Sequence, residues 1–442
     1  MRPATLILSL LSFSQAPLSD ASTNTWMDWD GLQVCHPADL VSDLSSEEAI
    51  VDLITSSSHS QIKTVGAGHS FSSIALTDDS SPSTLLLSLD QYAGIVRTEL
   101  QEDGTTFVEV KAGTRLRDLN TMLSEMVPPL ALVNLGATAA QSIAGAIATG
   151  THGTGRSLGS ISAAVEGLRI IDASGRVLDS REDPDVVKFG RVALGVLGIV
   201  STVTIRAVPM FKMKKTVLDV PLDELLANHD AWVARYERFQ WSFVPYTNTA
   251  SVILREEVPF DAPVDDCWVS PTPAVCTDLS YKTLVDSLPA YENRTLYTEM
   301  EMFVPVEHAV AAVTDFIEYQ SQVKPKHDDS KCSLFTNIRY VAADDIPTSM
   351  MHNRDIAVLS FICLGDKDAT GDSDEFAMYA QGLENITKTK YDGVPHWGKE
   401  NWATGEELSA FYDFTDFLAF REKVDPGGVF LNEYTRERLS LL

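Results

Sequence analysis

Val65-Gly66-Ala67-Gly68-His69-Ser70 closes a short strand, Gln61 to Val65, with two glycines and a histidine. Such a loop frees backbone N–H groups to line an anionic pocket, as in phosphate-binding nests. A Gly-x-Gly pair alone is a weak signal. No third glycine completes Gly-x-Gly-x-x-Gly, and Phe71 and Ser72 follow where a Rossmann helix would open. A nicotinamide-type fold is therefore disfavoured. The histidine after the second glycine is the unusual feature; its plainest reading is a loop residue hydrogen-bonded to backbone.

A second stretch, Gly136 to Gly159, is rich in Gly, Ala, Ser and Thr. It reads either as a flexible linker or as a place where backbone must approach something closely. Ile143, Ile147 and the run Thr149-Gly-Thr-His152 favour close approach, because linkers rarely carry them.

Around these segments the first half alternates short strands and helices. Thr84 to Leu89 and Phe107 to Lys111 read as strands. Thr114 reads as the N-cap of an amphipathic helix with Leu116, Leu119, Met122 and Leu123 on one face. Val165 to Ile171 and Arg176 to Leu178 flank Asp-Ala-Ser-Gly as a hairpin. From about Ala207 aromatic residues and longer charged helices predict a second domain, and no period of 20 to 50 residues suggests a solenoid. The aromatic end, Phe411 to Leu442, predicts a docked C-terminus.

Four blocks and a closing segment together resemble the vanillyl-alcohol-oxidase type of flavoprotein, nearest to its sugar-lactone oxidases and more distantly to its alditol oxidases. They are Val65 to Phe71, Leu135 to Gly145 with Ala148 to Gly155, Leu197-Gly-Ile-Val200, His396-Trp-Gly-Lys399, and Asp425 to Asn432. The resemblance implies an α+β fold: a two-part FAD-binding domain of the PCMH type (22–206), a substrate or cap domain (207–390), and a C-terminal segment (391–442) returning to the flavin. His69 matches the residue whose ring bonds the flavin 8α-methyl. Val65, Gly66, Ala67, Gly68 and Ser70 would cradle the pyrophosphate. Ala137, Ser142, Gly145, Thr149, Gly150, Thr151 and His152 match further FAD contacts, Ile199 lies against the cofactor, and His396 sits beside the flavin ring. Some relatives tether flavin twice, through a cysteine as well; no cysteine falls between Cys35 and Cys267, so His69 would be the single tether.

For the substrate side the resemblance implies a Glu-x-Arg strand and a distant lysine. Here the strand reads Asn337-Ile338-Arg339 and the lysine is Lys399. Asn337 can orient a hydroxyl but cannot take its proton. Ser360 and Ile362 fall where alditol oxidases carry His and Thr, and Ala137 falls where Ser is usual, so an alditol substrate is disfavoured. Arg339 and Lys399 remain as cations for an alkoxide or a lactone carbonyl, with Glu299 a further candidate. The implied reaction is FAD-dependent oxidation of an aldono-1,4-lactone at C2, with O2 as acceptor and H2O2 as product. Gly136, where a related dehydrogenase has Ala, supports oxygen access. Alternatives are an oxidase of another carbohydrate (an alditol, aldose or oligosaccharide), a dehydrogenase with a cytochrome or quinone acceptor, and a secreted binding protein that kept only the fold.

Composition bounds the rest. The chain has 442 residues, 44% of them hydrophobic, and a formal net charge of −28. That charge argues against nucleic acid as partner. Met1-Arg-Pro, the apolar run Ala4 to Leu11 and small residues up to Ala21 predict a signal peptide over 1–21, and the apolar run itself is too short to span a bilayer. Sequons at Asn293 and Asn385 agree with a secretory or extracellular location. Among five cysteines, Cys267 and Cys276 bracket a Pro-rich loop and suit a disulfide. No Cys-x-x-Cys or His-x-x-x-His occurs, and no metal is expected.

Overall fold

Parallel pairing of three short strands starts the architecture. Asp39–Val41, Thr84–Ser88 and Gln61–Val65 form a sheet with Thr84–Ser88 in the middle. The helix Glu47–Ser56 makes the crossover, its N-terminus capped by Ser46, whose hydroxyl accepts from the Ala49 N–H. Leu85, Leu86 and Leu87 are all buried, as a central parallel strand covered on both faces requires. A computed structural model describes residues 24–244, 246–268, 273–285, 296–323, 333–365 and 373–442. The expected signal segment and Asn293 lie outside them.

The second part of this half is a six-stranded antiparallel sheet. Its order is Val177–Asp179, Val165–Ile171, Ile199–Pro209, Thr106–Lys111, Ile95–Leu100, with Leu130–Ala131 pairing the far end of Ile199–Pro209. The expected hairpin is its first pair. Thr114 is not the helix cap. Its hydroxyl donates to the Lys111 carbonyl and accepts from the Gly94 N–H, so the helix Leu116–Ser124 begins at Arg115 with no side-chain cap. Leu116, Leu119 and Leu123 are buried as the spacing predicted, whereas Met122 is only half-buried.

At Met210 and Phe211 the chain passes to an eight-stranded antiparallel sheet. Its order is Val275–Leu279, Lys212–Val220, Ala250–Val258, Arg238–Phe243, Ser333–Val341, Ile356–Gly365, Leu296–Pro305, Val394–Pro395. Period-two alternation gives this sheet two unlike faces. Trp241, Met300, Met302, Ile338, Leu359 and Phe361 point to one side. There they meet the helices Ala309–Val323 and Ser373–Tyr391. The apolar stripes of those helices recur at helical spacing: Ala309, Ala312, Val313, Phe316 and Phe376, Tyr379, Ala380, Leu383. The opposite face carries Glu299, Glu301, Asn337, Arg339 and Ser360, and it turns toward the first half.

The C-terminal segment then returns. The Ile62 N–H donates to the Val429 carbonyl, and Asn432 Nδ2 donates to the carbonyls of Ser73 and Leu76. Among the described residues, no helix is long and apolar enough to cross a membrane. Asn385 stands exposed on the helix Ser373–Tyr391. The apolar face of the large sheet should dominate stability. Phe361→Ala, which empties a fully buried site, is expected to cost about 3–5 kcal/mol in urea unfolding.

Candidate active site

Two cavities meet at His69. The larger, about 1140 Å³, runs between the two parts of the first half. Its walls include Val65, Gly66, Ala67, Gly68, His69 and Ser70 on one side and Ser142, Gly145 and Thr149 on the other. The smaller, about 550 Å³, lies under the polar face of the eight-stranded sheet, with His69, Gln141 and Thr149 common to both.

Close approach explains the glycines of the larger cavity. A Cβ on Gly66 would lie 2.5 Å from Ser142 Oγ, so only hydrogen fits there. Ser142 is itself fixed, capping the helix Ile143–Ala148 by accepting from the Gly145 N–H. Gly68 has φ +67, and a Cβ there would press on Trp29 N and Asp28 Cα at 3.0 and 3.1 Å. The N-terminal segment thus clasps the loop: the Trp29 N–H donates to the Gly68 carbonyl, and the indole stacks on His69 at 5.5 Å. His69 Nδ1–H donates to the Ala67 carbonyl, which sets the tautomer of the neutral ring with its in-plane lone pair on Nε2. Three sequence blocks converge at Gly398. A Cβ there would meet Thr149 Oγ1 at 3.2 Å and Ser70 Oγ at 3.3 Å, and the Phe71 N–H donates to its carbonyl.

These walls fit FAD. A long cleft with backbone N–H groups at a glycine loop suits a pyrophosphate, and an amine lies at its side. Lys63, fully buried and pushed down to about 8 by burial, donates to the Phe430 carbonyl and lines the cleft. Asp28 also lines it, pushed up to about 9 by burial and by Asp30. Neither was read from the sequence; Lys63 sits in the short edge strand Gln61–Val65, where it resembles an ordinary edge charge. Ile199 faces away: its side chain packs with Ile50, Ile62 and Leu87, and its neighbours Gly198 and Val200 line the cleft. Strand parity places them so. Gly150 makes a turn at φ +77 beside Met350 and also stands off both cavities.

The smaller cavity gathers Ala137, Thr151, His152, Arg339, His396 and Lys399. It adds Tyr297, Glu299 and Glu301, which share one sheet face by alternation in Tyr297-Thr-Glu-Met-Glu-Met-Phe303. Asn337 does not line it among the described residues; it lies two strands from Glu301, with Ser360 between them. Lys399 pairs with Glu299 and sits 4.7 Å over the Phe71 ring. Glu301 accepts from Ser360 Oγ at 2.8 Å and lies 3.5 Å from His152 Nε2. Burial holds Glu299 above the usual carboxylate range against the pull of Lys399. Burial also pushes Glu301 upward, but Lys399 and the hydrogen bond from His152 outweigh it and hold that group well below its usual value. His396 is pushed down to about 3 by burial, and its Nδ1 accepts from the Gly398 N–H, so the neutral ring keeps its proton on Nε2.

The comparisons with known proteins, taken with the fold and cavities, define an FAD-dependent oxidoreductase acting on a CH–OH group. The FAD-binding-domain model matches residues 38–181, and the D-arabinono-1,4-lactone oxidase model matches residues 275–438. The chain is 31% identical to L-gulono-1,4-lactone dehydrogenase of Mycobacterium tuberculosis strain H37Rv, across 94% of this chain and 99% of that one. It is 28% identical to L-gulonolactone oxidase of Bos taurus, across 92% and 97%. The chain belongs to this family of sugar 1,4-lactone oxidases and dehydrogenases. Among solved structures a solvent-stable cholesterol oxidase superposes with a TM-score of 0.76 over 95% of this chain and 98% of its own, at 16% identity, a likeness of fold alone.

Gly66→Ala drives a methyl group onto Ser142 Oγ at the loop. The purified variant is expected to carry well under half the wild-type flavin per protein, read from its absorbance ratio.

Proposed function

We propose that this protein oxidises the C2 carbinol of an aldono-1,4-lactone, with FAD as hydride acceptor and O2 as the final oxidant. The observation that carries the reading is the smaller cavity, where Arg339 and Lys399 converge with two buried carboxylates beside His69. FAD, when bound, supplies the two-electron redox chemistry; the chain supplies position and charge. Arg339 and Lys399 stabilise negative charge on the carbinol oxygen and hold the lactone carbonyl. Neutral His396 offers an N–H donor. Burial of the chamber excludes water and strengthens each of these contacts.

His69 is the proposed covalent tether. Its ring is oriented by Trp29 on one face and by the Ala67 carbonyl at Nδ1, at the junction of the two cavities. Oxygen is the proposed acceptor because Gly136 carries no methyl group. A Cβ there would meet Thr151 Cγ2 at 2.8 Å, in the wall of the smaller cavity. One relative is named a dehydrogenase, so the acceptor is the point at which family members divide. A secretory location is supported by the Cys267–Cys276 disulfide and by the exposed sequon at Asn385.

Three measurements test this reading. Flavin should stay with the acid-precipitated wild-type chain and be lost from His69→Ala. Peroxide should be released with gulono-, galactono- or arabinono-1,4-lactone and not with alditols or free aldoses; release with the latter alone would transfer the assignment to another carbohydrate. Gly136→Ala should slow reoxidation of the reduced enzyme by O2 at least tenfold in stopped flow, while reduction by lactone changes little.

A further inference from the structure

Resting on the smaller cavity as the substrate chamber, we infer that Glu299 accepts the hydroxyl proton, with Lys399 as its charge partner and Glu301 as a fixed anion. Glu299 and Glu301 stand two residues apart on one strand and share one face, yet their surroundings differ. Opposite Glu299 lies Ile362 and beyond it Phe335, which pack with Tyr297, Phe71 and Trp29. Opposite Glu301 lies Ser360, which donates to it, with His152 alongside. Two carboxylates in unlike environments take unlike roles: an apolar wall makes a carboxylate a better base, and hydrogen-bond donors fix its neighbour as an anion. The proton affinities of the two groups shift apart accordingly, Glu299 upward and Glu301 downward.

The departures from the alditol-oxidase pattern then form one set. Ile362 in place of Thr supplies the apolar wall of Glu299. Ser360 in place of His supplies the donor to Glu301. Asn337 in place of Glu removes a third carboxylate from the same face, where like charges would repel. The groups facing Glu299 are Glu301 and Tyr297 from its own strand, Arg339 from the strand Ser333–Val341, Lys399 and His396 from the C-terminal loop, His152 from the glycine-rich segment, and His69 from the glycine loop.

In the step itself the C2–H bond breaks and its electron pair passes with the hydrogen to FAD. The O–H bond breaks and its proton passes to a Glu299 oxygen, while a C=O bond forms at C2. The lactone loses two electrons and two hydrogens: bound FAD would supply the acceptor for the electron pair and one hydrogen, and Glu299 takes the other hydrogen as a proton and later releases it to water. As Glu299 becomes neutral, Lys399 loses its anionic partner and its charge turns to the substrate oxygen.

The test is anaerobic bleaching of flavin absorbance in the holoenzyme, using whichever of the three lactones reduces wild type fastest. Wild-type reduction should fall as pH drops through a raised carboxylate value, because only the ionised base accepts a proton. Glu299→Gln should reduce flavin about 10²-fold or more slowly and lose that acidic limb. Glu299→Asp should keep the limb, and Ile362→Thr should move it to lower pH by wetting the wall. Flavin content and thermal midpoint of each variant report on folding. Reduction of Glu299→Gln within tenfold of wild type, or an acidic limb that survives in it, would overturn the inference. An unmoved limb in Ile362→Thr would overturn the role of the wall. If no lactone bleaches the wild-type flavin, the substrate reading fails first and this inference with it.

Discussion

Gly66 against Ser142 is the contact on which the rest of the molecule depends. The loop leaving the parallel sheet and the N-terminus of the helix Ile143–Ala148 touch there at a separation no side chain permits. Gly66 and Ser142 both line the larger cavity at that contact. Ser142 acts twice, as the wall that excludes a Cβ and as the cap of a short helix. The Gly68 turn and the Trp29 clasp then fix the direction in which His69 leaves the loop. Flavin binding, the junction of the two cavities and the position of the histidine all follow from one close approach.

The eight-stranded sheet solves a different problem, which is how to hold charges under a roof. Its apolar face is sealed by two helices, so the strands are rigid and their registers are set by packing. Only then can the other face afford Glu299, Glu301, Arg339 and Ser360 at low exposure. Each buried charge would be costly alone; pairing Lys399 with Glu299 and surrounding Glu301 with donors offsets the desolvation.

What the sequence shows clearly is what local backbone chemistry demands. The glycines and the histidine of Val65 to Ser70, the Gly136 to Gly159 stretch and the His396 to Lys399 block announce themselves because each residue type is required where it stands. The hairpin and the disulfide loop are legible for the same reason. Long-range register is not written locally. Thr114 has the right residue type for a cap, but Lys111 and Gly94 compete for its hydroxyl. Ile199 lies in the right strand and on the wrong parity, so Val200 reaches the cleft. Glu301 carries no motif of its own, and only its cross-strand partner Ser360 and the distant His152 give it meaning. The alternation in Tyr297 to Phe303, acids between methionines, was the available signal.

Asn337 illustrates why single-position comparison misleads in a sheet. A substitution at one position is a statement about a surface, since residues directly opposite on neighbouring strands occupy one patch. Asn337, Ser360 and Glu301 form such a row across three strands, and Phe335, Ile362 and Glu299 form the next. Loss of a carboxylate at 337 therefore does not empty the patch of carboxylates; it leaves those on the adjoining strand, in walls of contrasting polarity. A row that reads amide, hydroxyl, carboxylate beside one that reads phenyl, butyl, carboxylate has divided two chemically identical groups by environment alone. Position 337 and position 362 are in that sense parts of the same device, and neither can be interpreted without the register that sets them opposite the glutamates.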